Sequence, residues 1–216
     1  MRSSINKKFV QIGAGLSTGP SWISYDSSPT LVLSKFPILG RLILKLLKGS
    51  NWPHDTRCGD IISGLPLQKN SCKLIFCSHM LEHLSLPDFE VVIRNIYNYL
   101  EPGGTFRFIV PDLEVYAKRY IEKITQSRNT AAIDFIKETH LGGENSRRGF
   151  ASRLREALAN SRHQWLWDKY SLMGFLEHQG FLDIRQCQFG EWSDPHFLEV
   201  EDEGRHIDSI CIECRK

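Results

Sequence analysis

These 216 residues contain no stretch apolar enough to cross a membrane, since a spanning helix needs about 20 mostly apolar residues in a row. Nor is there much surplus charge. Lys and Arg total 27 against 25 Asp and Glu, a net charge of +2, which implies no general attraction to nucleic acid. Cysteine is sparse, with six in all. Only Cys211-Ile-Glu-Cys214 has the C-x-x-C form, and no second such pair completes a zinc set. That pair also lies in a strand-like run, where residues three apart point to opposite faces. Free buried thiols are therefore expected rather than a metal or redox centre. There is no internal repeat and no low-complexity tract. The basic start, residues 1–8, leads into an apolar run too short for a signal peptide, so a cytoplasmic location is expected.

What is present suits one globular domain over residues 1–216, at 41% hydrophobic and 24% charged. Short apolar runs read as strands at 9–12, 22–25, 56–58, 74–77, 105–110, 181–189 and 207–214. Helical spacing of Phe89, Val92, Ile93, Ile96 and Leu100, behind Pro87, predicts a helix over 88–100. Another is predicted over 172–178, with Gly180 just past its end. Between 31 and 48, Arg41, Lys45 and Lys48 fall opposite Leu39, Leu42, Ile43, Leu46 and Leu47. This is expected to be a helix covering a sheet, with a membrane-surface or partner contact as the alternative. Residues 113–162 change character. Three short helices are predicted there (113–124, 131–140 and 150–160), with a charged, glycine-rich loop at 142–149. The segment holds ten Lys and Arg against six Asp and Glu, a composition seen in substrate covers and in ordinary solvated helices. The expected architecture is a doubly wound, mostly parallel, Rossmann-like α/β sheet of about six to seven strands, with 113–162 as a helical cap inserted after the fifth.

Chemistry-bearing residues gather at the predicted carboxyl ends of the strands, the edge where open α/β sheets hold ligands. The first run breaks into Gly13-Ala14-Gly15, and the second stops at Asp26. Glycines admit a ligand close to the backbone, and an acid beyond them takes ribose hydroxyls. Asp60 and Ile61 follow the third run. A carboxylate there accepts from an exocyclic amine and an apolar side chain covers a ring; a simple turn acid is the alternative. Ser78 and His79 follow the fourth run.

The segments Ile12-Gly-Ala-Gly15, Trp22-Ile-Ser-Tyr-Asp26, Gly59-Asp-Ile61, Leu65-Pro-Leu-Gln-Lys-Asn-Ser71, Ser78-His-Met-Leu-Glu-His-Leu84 and Leu100-Glu-Pro-Gly-Gly-Thr-Phe-Arg107, in this order, resemble the motifs of class I S-adenosylmethionine-dependent methyltransferases. The likeness is to the small type 11 kind and spans residues 8–112. It implies S-adenosylmethionine as cofactor and S-adenosylhomocysteine as product. Gly13, Ala14 and Gly15 would wrap the methionine part, Asp26 would hold the ribose, and Asp60 and Ile61 would flank the adenine. Ser78 and His79 would border the cofactor and its methyl group. Glu82 and His83 are read as helix-start residues, and Glu101-Pro-Gly-Gly104 as a turn. The His79-x-x-Glu82-His83 spelling invites a metal reading, but strand-end placement and the lack of a partner set elsewhere argue against it, so no metal is expected. One departure stands out. Asp26 follows Gly15 by eleven positions, whereas nucleotide-binding βαβ units place the acid about twenty residues on. The usual first helix is therefore expected to be absent or a single turn.

On the acceptor side, His163-Gln-Trp-Leu-Trp-Asp168 is the densest cluster of the second half. His163 is a candidate base or acceptor contact, with His79 the other catalytic candidate. Trp165 and Trp167 are candidate wall residues, with core packing as the alternative, and Asp168 a helix cap. His140, Tyr116 and Asp112 are further candidates, Asp112 with capping as its alternative. The expected partner is a small-molecule or sugar-like acceptor, acidic if the basic insert meets it, with neither nucleic acid nor an integral membrane contact. A nucleotide- or dinucleotide-binding oxidoreductase, or a catalytically silent methyltransferase-like module, are the other readings.

Overall fold

The computed structural model describes residues 9–36, 51–142 and 162–216. Seven strands form one sheet: β1 (Phe9–Ile12), β2 (Trp22–Asp26), β3 (Arg57–Cys58), β4 (Cys72–Ser78), β5 (Leu100–Pro111), β6 (Leu182–Cys187) and β7 (Ser209–Arg215). Their order is β3-β2-β1-β4-β5-β7-β6. The strands β1 to β5 pair in parallel, and β7 runs antiparallel between β5 and β6. The chain winds outward from β1 to β3, then crosses back to β4 beside β1. That reversal creates the crevice where ligands of such sheets bind.

Among the described residues the helices are α1 (Pro29–Ser34), α2 (Leu86–Tyr99), α3 (Leu113–Thr125), α4 (Ala131–Glu138) and α5 (Lys169–Gln179). Side-chain caps explain where several begin. Ser85 Oγ accepts from Asp88 N ahead of α2, Asp112 Oδ1 from Glu114 N ahead of α3, and Asp168 Oδ1 from Tyr170 N and Ser171 N ahead of α5. Asp112 and Asp168 are thus committed to capping. The third helix expected in the insert, the loop at 143–149, most of the amphipathic stretch before residue 50 and residues 1–8 lie outside the described residues.

Alternation along the strands sorts side chains onto two faces. On one, Val10, Ile75, Cys77, Phe106, Phe108, Ile212 and Cys214 pack against Phe89, Val92 and Ile96 of α2 and Leu172 and Leu176 of α5. On the other, Trp22, Leu74, Phe76, Ile109 and Cys211 meet Phe197 and Val200. Cys211 and Cys214 therefore face opposite ways, as a strand requires, and all six cysteines are free thiols. The second face also buries Arg107, whose Nε donates to Glu201 Oε1 at 2.8 Å and Nη1 to Glu213 Oε2 at 3.3 Å. Arg185 balances Glu213 from outside, so the buried charges are matched.

The turn at Glu101–Gly104 is looped out of β5 rather than preceding it. Cys72 pairs with Leu100, and the next pair is Leu74 with Thr105. The Gly104 backbone passes so close to Cys72 that a Cβ there would stand 3.0 Å from the Cys72 carbonyl, which explains the glycine.

Candidate active site

A cavity of about 430 Å³ opens at the carboxyl edge of β1, β2 and β4, and Gly13, Ala14, Gly15, Asp26, Asp60, Ile61, Ser78 and His79 all line it. Its volume is in the range of small-molecule sites. No helix separates β1 from β2; the chain crosses in two tight turns, with Ser17 N bonded to Ala14 O and Trp22 N to Gly19 O. Gly13 has φ +64°, and a Cβ there would lie 2.7 Å from Met80 Cγ. Gly15 has φ +56° with nothing within 4 Å of an added Cβ, so it borders open space. Asp26 ties the loop together. Its Oδ2 accepts from Gly15 N at 2.9 Å and its Oδ1 from Ser28 N at 2.7 Å. Each oxygen keeps a further lone pair for a ligand.

Asp60 is both a turn acid and a wall residue. Its Oδ1 accepts from Ile62 N at 2.9 Å, and its Oδ2 from Ser63 N and Ser63 Oγ. Burial works to raise its pKa, but these hydrogen bonds outweigh it and hold the carboxyl below its ordinary value. Asn95 of α2 donates to Ile61 O at 2.8 Å and pins the loop. Ser78 Oγ is buried without a hydrogen-bond partner among the described residues. Such an orphan on a cavity wall fits a polar ligand. Trp52, Gln164 and Arg205 also line the cavity. Sequence reading missed Trp52 and Arg205 because they come from connecting segments with no motif of their own, and Gln164 because its segment was read for His163 and the tryptophans.

A second cavity, of about 500 Å³, adjoins the first across His79, His83 and Arg205, which line both. Its other walls include Glu82, Tyr116, His140 and His163. His79 has φ +51°. Its Nε2 donates to Arg205 O at 2.9 Å, and its Nδ1 lies 3.3 Å from Glu82 Oε1. Glu82 and His83 are not helix-start residues, because the cap of α2 is Ser85. They sit in a 3-10 turn, Leu81–His83, with Glu82 fully buried. His163 arrives because Gln164 N and Trp165 N both donate to Glu82 O, at 2.8 and 3.1 Å. Gln164 Nε2 adds a bond to His83 O, 81 positions away along the chain. The His163 ring stands 5.1 Å from that of His83 and 5.2 Å from that of His140. Burial pushes the His163 imidazole below its ordinary pKa, with Glu82 opposing, so the neutral ring is favoured.

The tryptophans do not form the expected wall. Trp167 is core, its ring 4.2 Å from that of Phe89. Trp165 is 40% exposed. Neither lines these two cavities.

The strand order with one antiparallel strand beside the edge, and a cavity at the switch point, match the class I methyltransferase fold. A family model described as a methyltransferase domain matches residues 19–185. The chain belongs to this family, whose methyl donor is S-adenosylmethionine. Among solved structures it is similar in fold to a SAM-dependent methyltransferase from Archaeoglobus fulgidus, at 12% identity and a TM-score of 0.50, covering 96% of this chain and 85% of that one. It also matches the YcgJ protein of Bacillus subtilis, at 14% identity and a TM-score of 0.48, covering 96% and 91%. No curated protein matches the chain significantly by sequence. Among the described residues no helix is long and apolar enough to cross a membrane.

Proposed function

We propose that the chain transfers a methyl group from S-adenosylmethionine to a small-molecule or sugar-like acceptor. The observation that carries this is the convergence of all eight expected cofactor residues on one cavity at the sheet's switch point. In this reading Gly13, Ala14 and Gly15 let the backbone approach the methionine part. Asp26 accepts from the ribose hydroxyls. Asp60 accepts from the adenine amine while Ile61 covers the ring. The orphaned Ser78 hydroxyl gains a partner. With no helix after β1 there is no helix dipole to hold the cofactor carboxylate, and Arg205 on the cavity wall supplies the positive charge instead.

S-adenosylmethionine supplies an electrophilic methyl group, so the protein's work is to align the acceptor, exclude water and handle a proton. The second cavity is the acceptor's place in this reading, since it shares His79 with the first. Of the two candidate imidazoles, His163 is the one available to take a proton there, because His79 gives its Nε2 proton to Arg205 O and turns its Nδ1 to Glu82. The surplus of basic residues in 113–162, read as a helical cap, favours an acidic acceptor. The small net charge favours a small acceptor over nucleic acid and fits a cytoplasmic enzyme.

Calorimetric titration with S-adenosylhomocysteine tests the proposal. One molecule bound per chain, with a rise in melting temperature, is expected. A folded protein giving neither heat nor a thermal shift overturns it. Binding without turnover on any acceptor would mark a catalytically silent module.

A further inference from the structure

Glu82 has no exposed surface, and neither carboxylate oxygen has a hydrogen-bond partner among the described residues. A carboxylate that stays ionised when buried is paired with a positive charge or coordinated to a metal; otherwise it takes up a proton. Imidazoles surround it. His79 Nδ1 lies 3.3 Å and His163 Nε2 3.9 Å from Glu82 Oε1. One ligating atom each from Glu82, His83 and His163 all lie within 4.8 Å of one another. Backbone carbonyls settle two of the tautomers, because a carbonyl only accepts. His83 Nδ1 gives its proton to Arg162 O at 3.0 Å, so in the neutral ring Nε2 carries the lone pair. His79 Nε2 gives its proton to Arg205 O, so in the neutral ring Nδ1 turns a lone pair toward the carboxylate. Two lone pairs facing each other repel unless positive charge lies on the ring or nearby. Imidazoles held in this way by carbonyls are the usual surroundings of metal-binding histidines.

We propose that Glu82, His83 and His163 bind a divalent transition-metal ion of the zinc type, with the second cavity on its open side. Two imidazoles and a carboxylate form a donor set of catalytic zinc sites, which keep one position for water or substrate. Ligands on a tetrahedral zinc stand about 3.3 Å apart, so the set closes with side-chain adjustments of about 1 Å. The His79-x-x-Glu82-His83 motif has no partner within its own segment. The hydrogen bonds from Gln164 and Trp165 to the Glu82 carbonyl deliver it in His163. A second Glu-His-Cys group, Glu201, His206 and Cys211, is less suited, because Glu201 is already neutralised by Arg107. A metal ion at Glu82 would hold an acceptor oxygen or nitrogen in the cavity; that role rests on the methyltransferase reading, whereas ion binding does not. At His163, ligation and proton transfer would be alternative uses of one lone pair.

The test is calorimetric titration of Zn²⁺ into the chelator-stripped full chain without S-adenosylmethionine, alongside the absorption spectrum of the Co²⁺-loaded protein. One ion per chain is expected, with a Co²⁺ spectrum of nitrogen and oxygen ligands only. Loss of even an outer-shell partner costs about 10- to 100-fold in affinity, so His163→Ala and Glu82→Gln, which remove ligands, should cost at least that much. Circular dichroism checks folding; where His163→Ala fails to fold, His83→Ala takes its place. The proposal is overturned by the absence of stoichiometric binding in the folded wild type. Unchanged affinity in the folded histidine variants, or a thiolate-to-cobalt charge-transfer band, overturns it equally. Binding of S-adenosylhomocysteine by metal-free protein keeps failure here separate from failure of the methyltransferase reading.

Discussion

The two cavities share His79, His83 and Arg205 yet are assembled in opposite ways. In the first, the key residues sit at or just beyond the ends of β1 to β4, whose pairing sets their spacing. Asp26 completes that cavity by bonding across to Gly15. In the second, Glu82, Tyr116, His140 and His163 come from a 3-10 turn, a helix and two connections. Among the described residues, hydrogen bonds to the Glu82, His83 and His140 carbonyls hold the His163 segment in place. A ladder of paired strands carries a ligand site with it. A cluster built from loops depends on each crossing contact, and mutations should separate the two.

The largest effect is expected from His163→Ala, in the loop-built cavity. Turnover should fall by about 10²- to 10⁴-fold, the usual worth of a proton-handling group, while S-adenosylhomocysteine affinity stays within about twofold. A parallel loss of both would show that the cavities do not act separately. Next comes Asp26→Ala, which removes the proposed ribose acceptor and the partner of Gly15 N and Ser28 N. Calorimetry should show affinity reduced about 10- to 100-fold, with about 1–2 kcal/mol of stability lost in denaturant unfolding. Unchanged affinity would remove Asp26 from the ribose role. Gly13→Ala should cost about 1–2 kcal/mol for the left-handed backbone, and more if Met80 cannot yield, read as a lower melting temperature.

The smallest effect is on pH dependence. The folded protein lowers the His163 pKa, so as pH falls the unfolded chain takes up that proton first. The associated stability is full above about pH 6.5 and is lost as pH falls through the lowered folded value. His163→Ala should flatten this slope in melting curves recorded with a chelator present. An unaltered slope would show that the ring is not held neutral.

Much of this was legible along the chain because buried parallel strands read as short apolar runs bounded by turns. The runs at 9–12 and 74–77 lie within β1 and β4, and the period of Phe89, Val92, Ile93 and Ile96 is the buried face of α2. Acids and glycines just beyond such runs land at the ligand edge. The eleven-residue gap before Asp26 left room for a single helical turn at most, and none forms, because β2 and two tight turns take up the gap. Glu82 was read wrongly because nothing in Leu81-Glu-His83 tells a helix start from a buried turn. The sequence leaves Trp165 and Trp167 between wall and core because an aromatic pair looks alike whether it lines a cavity or fills a core. Trp167 fell to the core because the bridge it forms with Asp112 turns its ring onto Phe89.

Local pattern by itself therefore determined the α/β class, the strand-end edge and the strand-end residues that line the first cavity. Both the period of burial and the chemistry of turns act over a few residues. Only the tertiary structure decided that His163 stands between Glu82 and His140, and that Arg107 is neutralised by Glu201 and Glu213. Those pairings join positions that are distant along the chain. They arise from how loops cross and how buried charge is matched, which no local spacing encodes.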